Sequence, residues 1–451
     1  MRGRTGRFCW SGPCLVCLMA IGAGQIGCGS GAPAKPSPPP SFGKIQHIVL
    51  IIQENRTPDN LFHGFPNADI ANSGVNSVGQ TITLTPITLA NDYDLSHQHS
   101  AFLDMFDNGK MDGADKIVMH CGPGAKNCPQ PFAQFHYADP AEVQPYFQMA
   151  QQYTFADRMF QTNQGPSFPA HQFILAGTSA PTAASLLFAA ENVVLPLGAR
   201  SNTAAGCAGP VGETVAMIDP MGSEAATQFP CFDHPTLIDS LDANGITWRY
   251  YAPSAGSIWT APNAIHHLRF GNDWQNVIIP QINILTDIAS GQLPQMAWVI
   301  PDGRASDHAL QNDGSGPSWV ASIVNAIGNS SYWSNTAIIV TWDDWGGWYD
   351  HVAPKILNSY EYGFRVPLII VSPYAKTRYV SLVTHDFGSL LHFTEVTFHL
   401  PSLGYADSIA DDLSDCFDFA QTPTSFQPFA AKFDAAYFIL DRRPPTDPDD
   451  D

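Results

Sequence analysis

Five apolar runs along the chain predict buried β-strands. Each run is a nearly continuous stretch of aliphatic and aromatic residues, with little alternation of polar and apolar positions. This pattern is typical of strands that are covered on both faces of a parallel sheet. The runs occupy residues 46–53, 247–252, 296–301, 336–341 and 366–372.

Amphipathic stretches between these runs predict helices. Residues 234–245 carry an apolar stripe and end in Asn244-Gly245, a pair that suits the end of a helix feeding the next strand. Residues 318–327 form a second helical pattern. Strands that alternate with helices predict an α/β doubly wound domain.

Two of the predicted strands are followed closely by residues whose side chains carry oxygen donors. Glu54 and Asn55 follow the first run, and Asp343 and Asp344 follow the fourth. Because sites in open α/β sheets form at the carboxyl ends of strands, we expect these four side chains to converge on one divalent cation. Oxygen donors suit Ca²⁺, Mg²⁺, Mn²⁺ or Fe²⁺, and Zn²⁺ also remains open.

A third segment, Asn163-Gln164-Gly165-Pro166-Ser167-Phe168-Pro169, contains a candidate nucleophile. Ser167 lies between two prolines, which restrict the backbone on both sides. If Ser167 opens a helix, its hydroxyl lies at the positive end of the helix dipole, where a phosphate binds well. The alternative is an ordinary proline-rich turn.

Four histidines lie in polar surroundings that suit a site. His97 follows Asp94-Leu95-Ser96, His308 follows Asp307, and His266 and His267 are adjacent. Imidazoles in such a group could neutralise a phosphoryl group or donate a proton to a leaving alcohol. A structural role is the alternative for each of them.

Together these segments resemble the bacterial phosphoesterase family, which holds non-haemolytic phospholipases C and a secreted acid phosphatase. The resemblance runs from about residue 45 to about residue 400. It rests on Glu54-Asn55-Arg56-Thr57-Pro58-Asp59, on Asn163-x-x-Pro166-Ser167-x-Pro169, and on Thr341-Trp342-Asp343-Asp344-Trp345-Gly346-Gly347-Trp348-Tyr349-Asp350-His351-Val352. It implies an alkaline-phosphatase-like three-layer α/β sandwich with a mainly parallel central sheet.

The resemblance also implies roles for individual residues. Ser167 matches a nucleophile that forms a phosphoserine, and His308 or His97 would protonate the leaving oxygen. The remaining positions divide into two groups: metal ligands at Glu54, Asn55, Asp343 and Asp344, and phosphate-binding residues at His266 and His267. We expect one metal ion and a phosphate-ester substrate, either a small molecule or a phospholipid headgroup.

Three positions depart from the family pattern. Pro58 stands where the family usually has an aromatic residue, Asp344 takes a position that is often Glu, and His171 stands where many relatives have Arg. The last change removes a fixed cation near the nucleophile. Two other functions stay open: a sulfatase-like hydrolase, whose motif also requires the missing Arg, and a non-catalytic surface binding protein.

Charge excludes some partners. The 451-residue chain has 41 acidic and 21 basic residues and a formal net charge of −20. Nucleic acid binding requires clustered Lys and Arg, so nucleic acid is not an expected partner. A bound cation would reverse the local field and admit a phosphate ester.

The termini predict export. Residues 1–28 combine Arg2, Arg4 and Arg7 with a short apolar stretch, which is typical of a signal segment. Cys28 lies in a sequence that resembles a lipoprotein cleavage box, so a lipid anchor there and ordinary cleavage both stay open. We expect a Pro/Gly/Ser linker at 29–43, a catalytic domain at 44–440 and an acidic tail at 441–451. The protein would be periplasmic, membrane-anchored or secreted.

Five cysteines follow Cys28, and export favours disulfides among them. The pairs nearest in sequence are Cys121 with Cys128 and Cys207 with Cys231, which leaves Cys416 over. Spacing does not fix the connectivity. A zinc site at the first pair is the alternative, but a six-residue gap is not typical of zinc fingers or ribbons.

Overall fold

A computed structural model describes residues 42–126, 128–199 and 204–446. The described residues include an eight-stranded central sheet with the strand order β4-β3-β5-β1-β6-β7-β2-β8. In chain order the strands are β1 His47–Gln53, β2 Thr154–Ala156, β3 Trp248–Tyr251, β4 Val277–Ile278, β5 Met296–Val299, β6 Thr336–Trp342, β7 Leu368–Val371 and β8 Tyr379–Ser381.

The sheet is mainly parallel. Only β7 runs antiparallel to its neighbours, β6 and β2. All seven residues of β6 and six of the seven residues of β1 are buried, as expected for strands covered on both faces. The five predicted strands are confirmed to within two residues, whereas β2, β4 and β8 were not predicted.

Helix–helix contacts in the described part form two groups. The helices are α1 Pro58–Leu61, α2 His99–Phe106, α3 Gln144–Gln152, α4 Ser167–Ala176, α5 Leu237–Ala243, α6 His266–Phe270, α7 Asn283–Ala289, α8 Gly316–Gly328, α9 Phe387–Phe398 and α10 Ala435–Leu440. Helix α8 contacts α3, α7 and α10, whereas α4 contacts α5 and α9. Such a division is expected of helix layers on opposite faces of a sheet, and the predicted α/β fold is confirmed.

Short strands outside the central sheet shape the loops. They pair Ser73–Val75 with Thr81–Thr83, Thr85–Ile87 with His136–Ala138, Tyr93–Leu95 with Met119–Cys121, and Met159–Phe160 with His385–Asp386; Val215–Ile218 pairs with both Phe188–Ala189 and Ala226–Gln228. The long irregular stretches of the sequence therefore carry local pairing of their own.

The domain extends slightly beyond its predicted limits. Phe42 is buried and packs edge-on against Phe393 and Phe419, so this one residue of the predicted linker belongs to the core. At the other end, Thr446 donates its backbone N–H to Asp302 at 3.0 Å. The predicted signal segment, Cys28, most of the linker and residues 447–451 lie outside the described residues. No helix in the described ranges is long and apolar enough to cross a membrane.

Two disulfides form in the described part. They join Cys121 to Cys128 and Cys207 to Cys231, with Cα–Cα distances of 5.7 and 4.5 Å. The disulfide interpretation of the first pair is therefore confirmed over the zinc alternative. Cys416 is a buried free thiol, and burial raises its pKa well above the usual range.

Candidate active site

The polar ends of β1 and β6 lie side by side. The two strands pair in parallel along their whole length, so both chains leave the sheet at the same edge. The backbone N–H of Asn55 donates to Asp343 Oδ1 at 3.1 Å, which ties the two ends together. The side chains brought to this edge are fully buried; they are Glu54, Asn55, Asp343 and Asp344.

Ser167 faces this edge from the first residue of α4. Its hydroxyl donates to Asp344 Oδ2 at 3.1 Å and lies 3.4 Å from Glu54 Oε2. Asn192 accepts the backbone N–H of Phe168 at 2.9 Å, which holds the start of the helix in place. The predicted helix opening is therefore present, and the serine hydroxyl contacts both strand ends.

His97 and His308 lie at the same site. His97 is fully buried, with Nε2 3.2 Å from Asn55 Nδ2 and Nδ1 2.9 Å from the Leu95 carbonyl. His308 Nδ1 lies 2.7 Å from the carbonyl of Ala309, and the two rings are 5.8 Å apart between centroids. An Nδ1–H that donates to a carbonyl leaves Nε2 as the acceptor of a neutral imidazole.

The predicted pair His266 and His267 does not join this group. His266 is exposed and packs edge-on against Phe270, with ring centroids 5.1 Å apart. His267 forms ion pairs with Asp233 at 2.6 Å and Asp239 at 3.1 Å. The phosphate-binding role expected for the pair gains no support, because His266 is exposed and His267 pairs with partly exposed carboxylates that compete with an anion.

His171 is a site residue whose position the sequence did not reveal. It lies one helical turn after Ser167 on α4, so both face the same way. Its Nε2 is 3.3 Å from Glu54 Oε1 and 3.8 Å from Asp343 Oδ2. The spacing of four residues was the available signal, but it identifies a contact only once the helix is placed against β1 and β6.

Arg56, the third residue of the first motif, is part of the scaffold. Its guanidinium donates to the Asp307 carbonyl at 2.6 Å and to Asn60 Oδ1 at 3.1 Å. It also lies over the Trp348 ring, 4.9 Å from the centroid. Arg56 therefore connects the end of β1 to the loop that carries His308.

Asp307 fixes the same loop from within the core. Its Oδ2 accepts from the Tyr146 hydroxyl and from Trp342 Nε1, both at 2.9 Å. Burial raises the pKa of Asp307 to about 6, although the charge of Arg56 opposes this shift. Because His308 is the next residue, these bonds hold the backbone from which its ring projects.

The tryptophans of the third motif pack the loop below the site. Trp342, Trp345 and Trp348 are fully buried, so they do not line an open mouth for a lipid. Trp259 lies beside two site histidines, with its ring centroid 6.4 Å from that of His171 and 6.2 Å from that of His308.

The side chains at this edge fit a divalent cation. Asn55 Oδ1 and Asp343 Oδ2 are buried without a hydrogen-bond partner among the described residues. Uncompensated buried oxygens of this kind are rare in folded proteins, and clustered carboxylates require an opposing charge. Ligand atoms of Glu54, His171 and Asp343 all lie within 4.8 Å of one another, the arrangement required to hold an ion.

A second acidic cluster, built on the same two motifs, is neutralised by the protein itself. Arg365 donates to both carboxylate oxygens of Asp350 at 3.0 Å and pairs with Asp157 at 3.2 Å. His351 Nδ1 lies 2.8 Å from Asp59 Oδ2. Burial opposes the charged imidazole, but the Asp59 and Asp350 carboxylates raise the pKa of His351 to about 9. We assign this cluster a structural role.

Comparisons with known proteins agree with the motifs. The sequence model of the phosphoesterase family matches residues 45–401. Phospholipase C B of Mycobacterium tuberculosis (strain ATCC 25618 / H37Rv) is 22% identical over 454 residues, which cover 85% of this chain and 80% of the relative. Phospholipase C A of the same strain is 24% identical over 263 residues, 47% of this chain and 50% of the relative. This match thus spans half the length of phospholipase C A.

A solved structure of a protein in the alkaline phosphatase superfamily from Vibrio parahaemolyticus is also similar. It is 10% identical, with a TM-score of 0.35, and the match covers 81% of this chain and 70% of that chain. The family match extends over most of the sequence and includes all three motifs at the site. The chain therefore belongs to the phosphoesterase family.

Proposed function

We propose that this protein is an exported, metal-dependent phosphoesterase that hydrolyses phosphate esters through a phosphoserine on Ser167. The observation that carries the proposal is the contact of one serine hydroxyl with carboxylates from two strand ends. Ser167 Oγ lies 3.1 Å from Asp344 and 3.4 Å from Glu54, although the three residues are far apart in sequence. The phospholipase C names of the relatives support the same class of reaction.

Glu54, Asn55, Asp343 and Asp344 would hold the cation. When bound, a divalent cation supplies Lewis acidity that stabilises a serine alkoxide and the charge on a phosphoryl group. The carboxylates orient the hydroxyl, because Asp344 accepts its hydrogen bond. The start of α4 is buried, which keeps bulk water away from the nucleophile. Ser167 also lies at the positive end of the helix dipole, which stabilises negative charge on its oxygen.

The chemical steps then follow from the positions of the side chains. Ser167 Oγ attacks phosphorus in line, the new O–P bond forms, and the bond to the leaving alcohol oxygen breaks. Asp344 takes the proton of the attacking Ser167 hydroxyl. His308 or His97, protonated at Nε2, donates its Nε2 proton to the leaving oxygen. Water then attacks the phosphoserine from the side that the alcohol left and gives a proton back to the imidazole. Asp344 returns its proton to Ser167 as phosphate or a phosphomonoester leaves.

Two substrate sources share this chemistry: soluble phosphate esters and phospholipid headgroups. The buried tryptophans of the third motif favour neither source, since they pack the loop. Export is supported by the signal-like pattern at 1–28 and by two disulfides, which persist in oxidising compartments. A lipid anchor at Cys28 would place the enzyme beside membrane phospholipid.

A hydrolysis assay tests the proposal. We expect release of p-nitrophenol from its phosphate or phosphorylcholine ester, loss of this activity with chelator, and its return with a divalent cation. Ser167→Ala should abolish turnover, whereas Ser322→Ala, a buried helical serine in α8, should not. After an acid quench, mass spectrometry of the wild type should find a phosphate on the peptide that contains Ser167.

Several outcomes would contradict the proposal. Activity that survives chelation, or full turnover by Ser167→Ala, would exclude the mechanism. Hydrolysis of p-nitrophenyl sulfate, with no hydrolysis of the two phosphate esters, would identify a sulfatase-like enzyme. A folded protein that turns over none of these esters would favour the surface binding protein.

A further inference from the structure

His171 occupies the position on α4 from which a side chain reaches both metal-binding strand ends. Its side chain is fully buried, as are those of Glu54 and Asp343. One ligand atom from each residue belongs to a group whose members all lie within 4.8 Å of one another. In the family pattern this position holds Arg, which cannot bind a cation.

The contacts of His171 with Glu54 and Asp343 are longer than a strong charge-assisted histidine–carboxylate bond. Charge-assisted bonds of this type are about 2.7–2.9 Å long. Two other pairs in the described part have this length, His351 with Asp59 and His385 with Asp411, both at 2.8 Å, and His267 with Asp233 is shorter still at 2.6 Å. His171 instead lies 3.3 Å from Glu54 and 3.8 Å from Asp343.

The longer distances suit ligands that share an ion. Zinc–nitrogen and zinc–oxygen bonds are about 2.1 Å long, so two ligands of a tetrahedral site lie about 3.4 Å apart. The Asp343 oxygen nearest His171 has no hydrogen-bond donor among the described residues, and the same is true of Asn55 Oδ1. Two buried acceptors without donors, beside an imidazole at ligand spacing, indicate a coordination site.

We propose, resting on the function proposed above, that His171 is a ligand of the cation together with Glu54 and Asp343. The imidazole replaces the fixed charge of the family Arg with a nitrogen donor. Nitrogen in an otherwise oxygen set favours first-row transition ions over Mg²⁺ and Ca²⁺. The site of this chain therefore selects an ion such as Zn²⁺, Mn²⁺ or Fe²⁺, and the substitution of Arg by His determines that choice.

Metal binding to the chelator-treated full chain tests the inference without an activity assay. By calorimetric titration, we expect His171→Gln and His171→Arg to weaken Zn²⁺ and Mn²⁺ binding by more than about 100-fold, because even the loss of an outer-shell partner costs about 10- to 100-fold. Mg²⁺ binding should change little in His171→Gln, whereas the positive charge of His171→Arg should weaken it as well. His385→Gln is the matched control, since it removes a buried histidine that pairs with Asp411 away from the site.

A spectroscopic measurement identifies the ligand directly. Electron spin echo spectra of the Mn²⁺-loaded wild type should show a coordinated nitrogen that changes with ¹⁵N-histidine labelling, and His171→Gln should lack this signal. If the wild type shows no such nitrogen, the inference is overturned without any variant. If the signal persists in His171→Gln, or if His171→Arg binds Zn²⁺ as tightly as the wild type, His171 instead replaces Arg as a cation.

The two proposals fail separately. If the nitrogen is found but turnover survives chelator or Ser167→Ala, the proposed function fails and the ligand assignment stands. If turnover needs both metal and Ser167 but no histidine nitrogen is bound, the ligand assignment alone fails.

Discussion

Two buried acidic clusters arise from the same two motifs, yet they differ in how their charge is compensated. The site cluster takes Glu54 and Asn55 from the first motif and Asp343 and Asp344 from the other. The second cluster takes Asp59 from the first motif and Asp350 and His351 from the other, a few residues further along. Each motif therefore serves both clusters, and residue type alone does not separate them.

The difference lies in the partners. In the second cluster Arg365 donates to both oxygens of Asp350 at 3.0 Å, and His351 contacts Asp59 at 2.8 Å. In the site cluster His171 lies 3.3 Å from Glu54 and 3.8 Å from Asp343, and two acceptor oxygens, Asn55 Oδ1 and Asp343 Oδ2, have no hydrogen-bond donor among the described residues. A compensated cluster stabilises the fold, whereas an uncompensated one needs a cation from outside.

Removal of Arg365 should produce the largest effect on stability. The side chain is fully buried between Asp350, Asp157 and Asp59, so Arg365→Gln leaves three buried carboxylates without their main cation. We expect the free energy of unfolding to fall by about 3–5 kcal/mol in urea denaturation. The control is Arg158→Gln at a partly exposed pair, where the loss should be about 1 kcal/mol or less. Equal losses in the two variants would refute the structural role of the cluster.

Neutralisation of Asp343 should lower turnover without lowering the stability of the metal-free protein. Asp343→Asn removes one carboxylate from the site, so turnover should fall by about 100- to 1000-fold, the usual cost of removing a group that stabilises transition-state charge. The metal-free protein should be as stable as the wild type or more stable, because buried like charges repel. These effects are measured by steady-state kinetics and by denaturation in the presence of chelator.

Asp350→Asn is the matched comparison, since Asp350 belongs to the same motif but to the other cluster. It should lower stability while the folded fraction keeps its turnover number. If Asp350→Asn instead lowered turnover and Asp343→Asn lowered stability, the roles assigned to the two clusters would be wrong.

The charge of His351 should make stability depend on pH. Its pKa is raised from the ordinary 6.5 to about 9 in the folded state, so the stabilisation is complete below pH 6.5 and is lost as the pH rises through 9. We expect a decline of about 1–3 kcal/mol over this interval in the wild type. His351→Gln should show a flatter profile in urea denaturation at each pH. Parallel profiles for the two proteins would assign the decline to other groups.

The sequence predicted the parts of the fold and site that depend on local pattern. The long strands β1 and β6 are apolar runs of seven residues, and each is followed directly by its metal-ligand candidates. Strands β2, β4 and β8 contain two or three residues, too few to show a period. The proline-flanked segment alone fits an ordinary turn equally well, and Ser167 was identified because this segment, together with the other two motifs, resembles the family pattern.

The remaining site features depend on distant contacts. His266 and His267 were predicted to bind phosphate because they are adjacent in sequence. In the fold, His267 forms ion pairs with Asp233 and Asp239. His171 was noted only as a substitution, because its distance to the carboxylates follows from the packing of α4 against two strand ends. The partner of Asp350 is Arg365, which lies outside every motif, so the compensation of the second cluster could not be predicted.

The smallest effect is expected at the rim of the second cluster, where Asp69 is 44% exposed. It accepts from Arg158 at 2.6 Å and from His351 Nε2 at 3.0 Å, and these contacts lower its pKa although burial opposes the shift. Asp69→Asn should cost about 1 kcal/mol or less and leave turnover unchanged, since exposed pairs are screened by solvent. The measurement is urea denaturation at low and high salt, where the difference from wild type should shrink as salt is added. A loss as large as that of Arg365→Gln would mean that the stabilising network extends to the surface, because a screened pair cannot supply that much free energy alone.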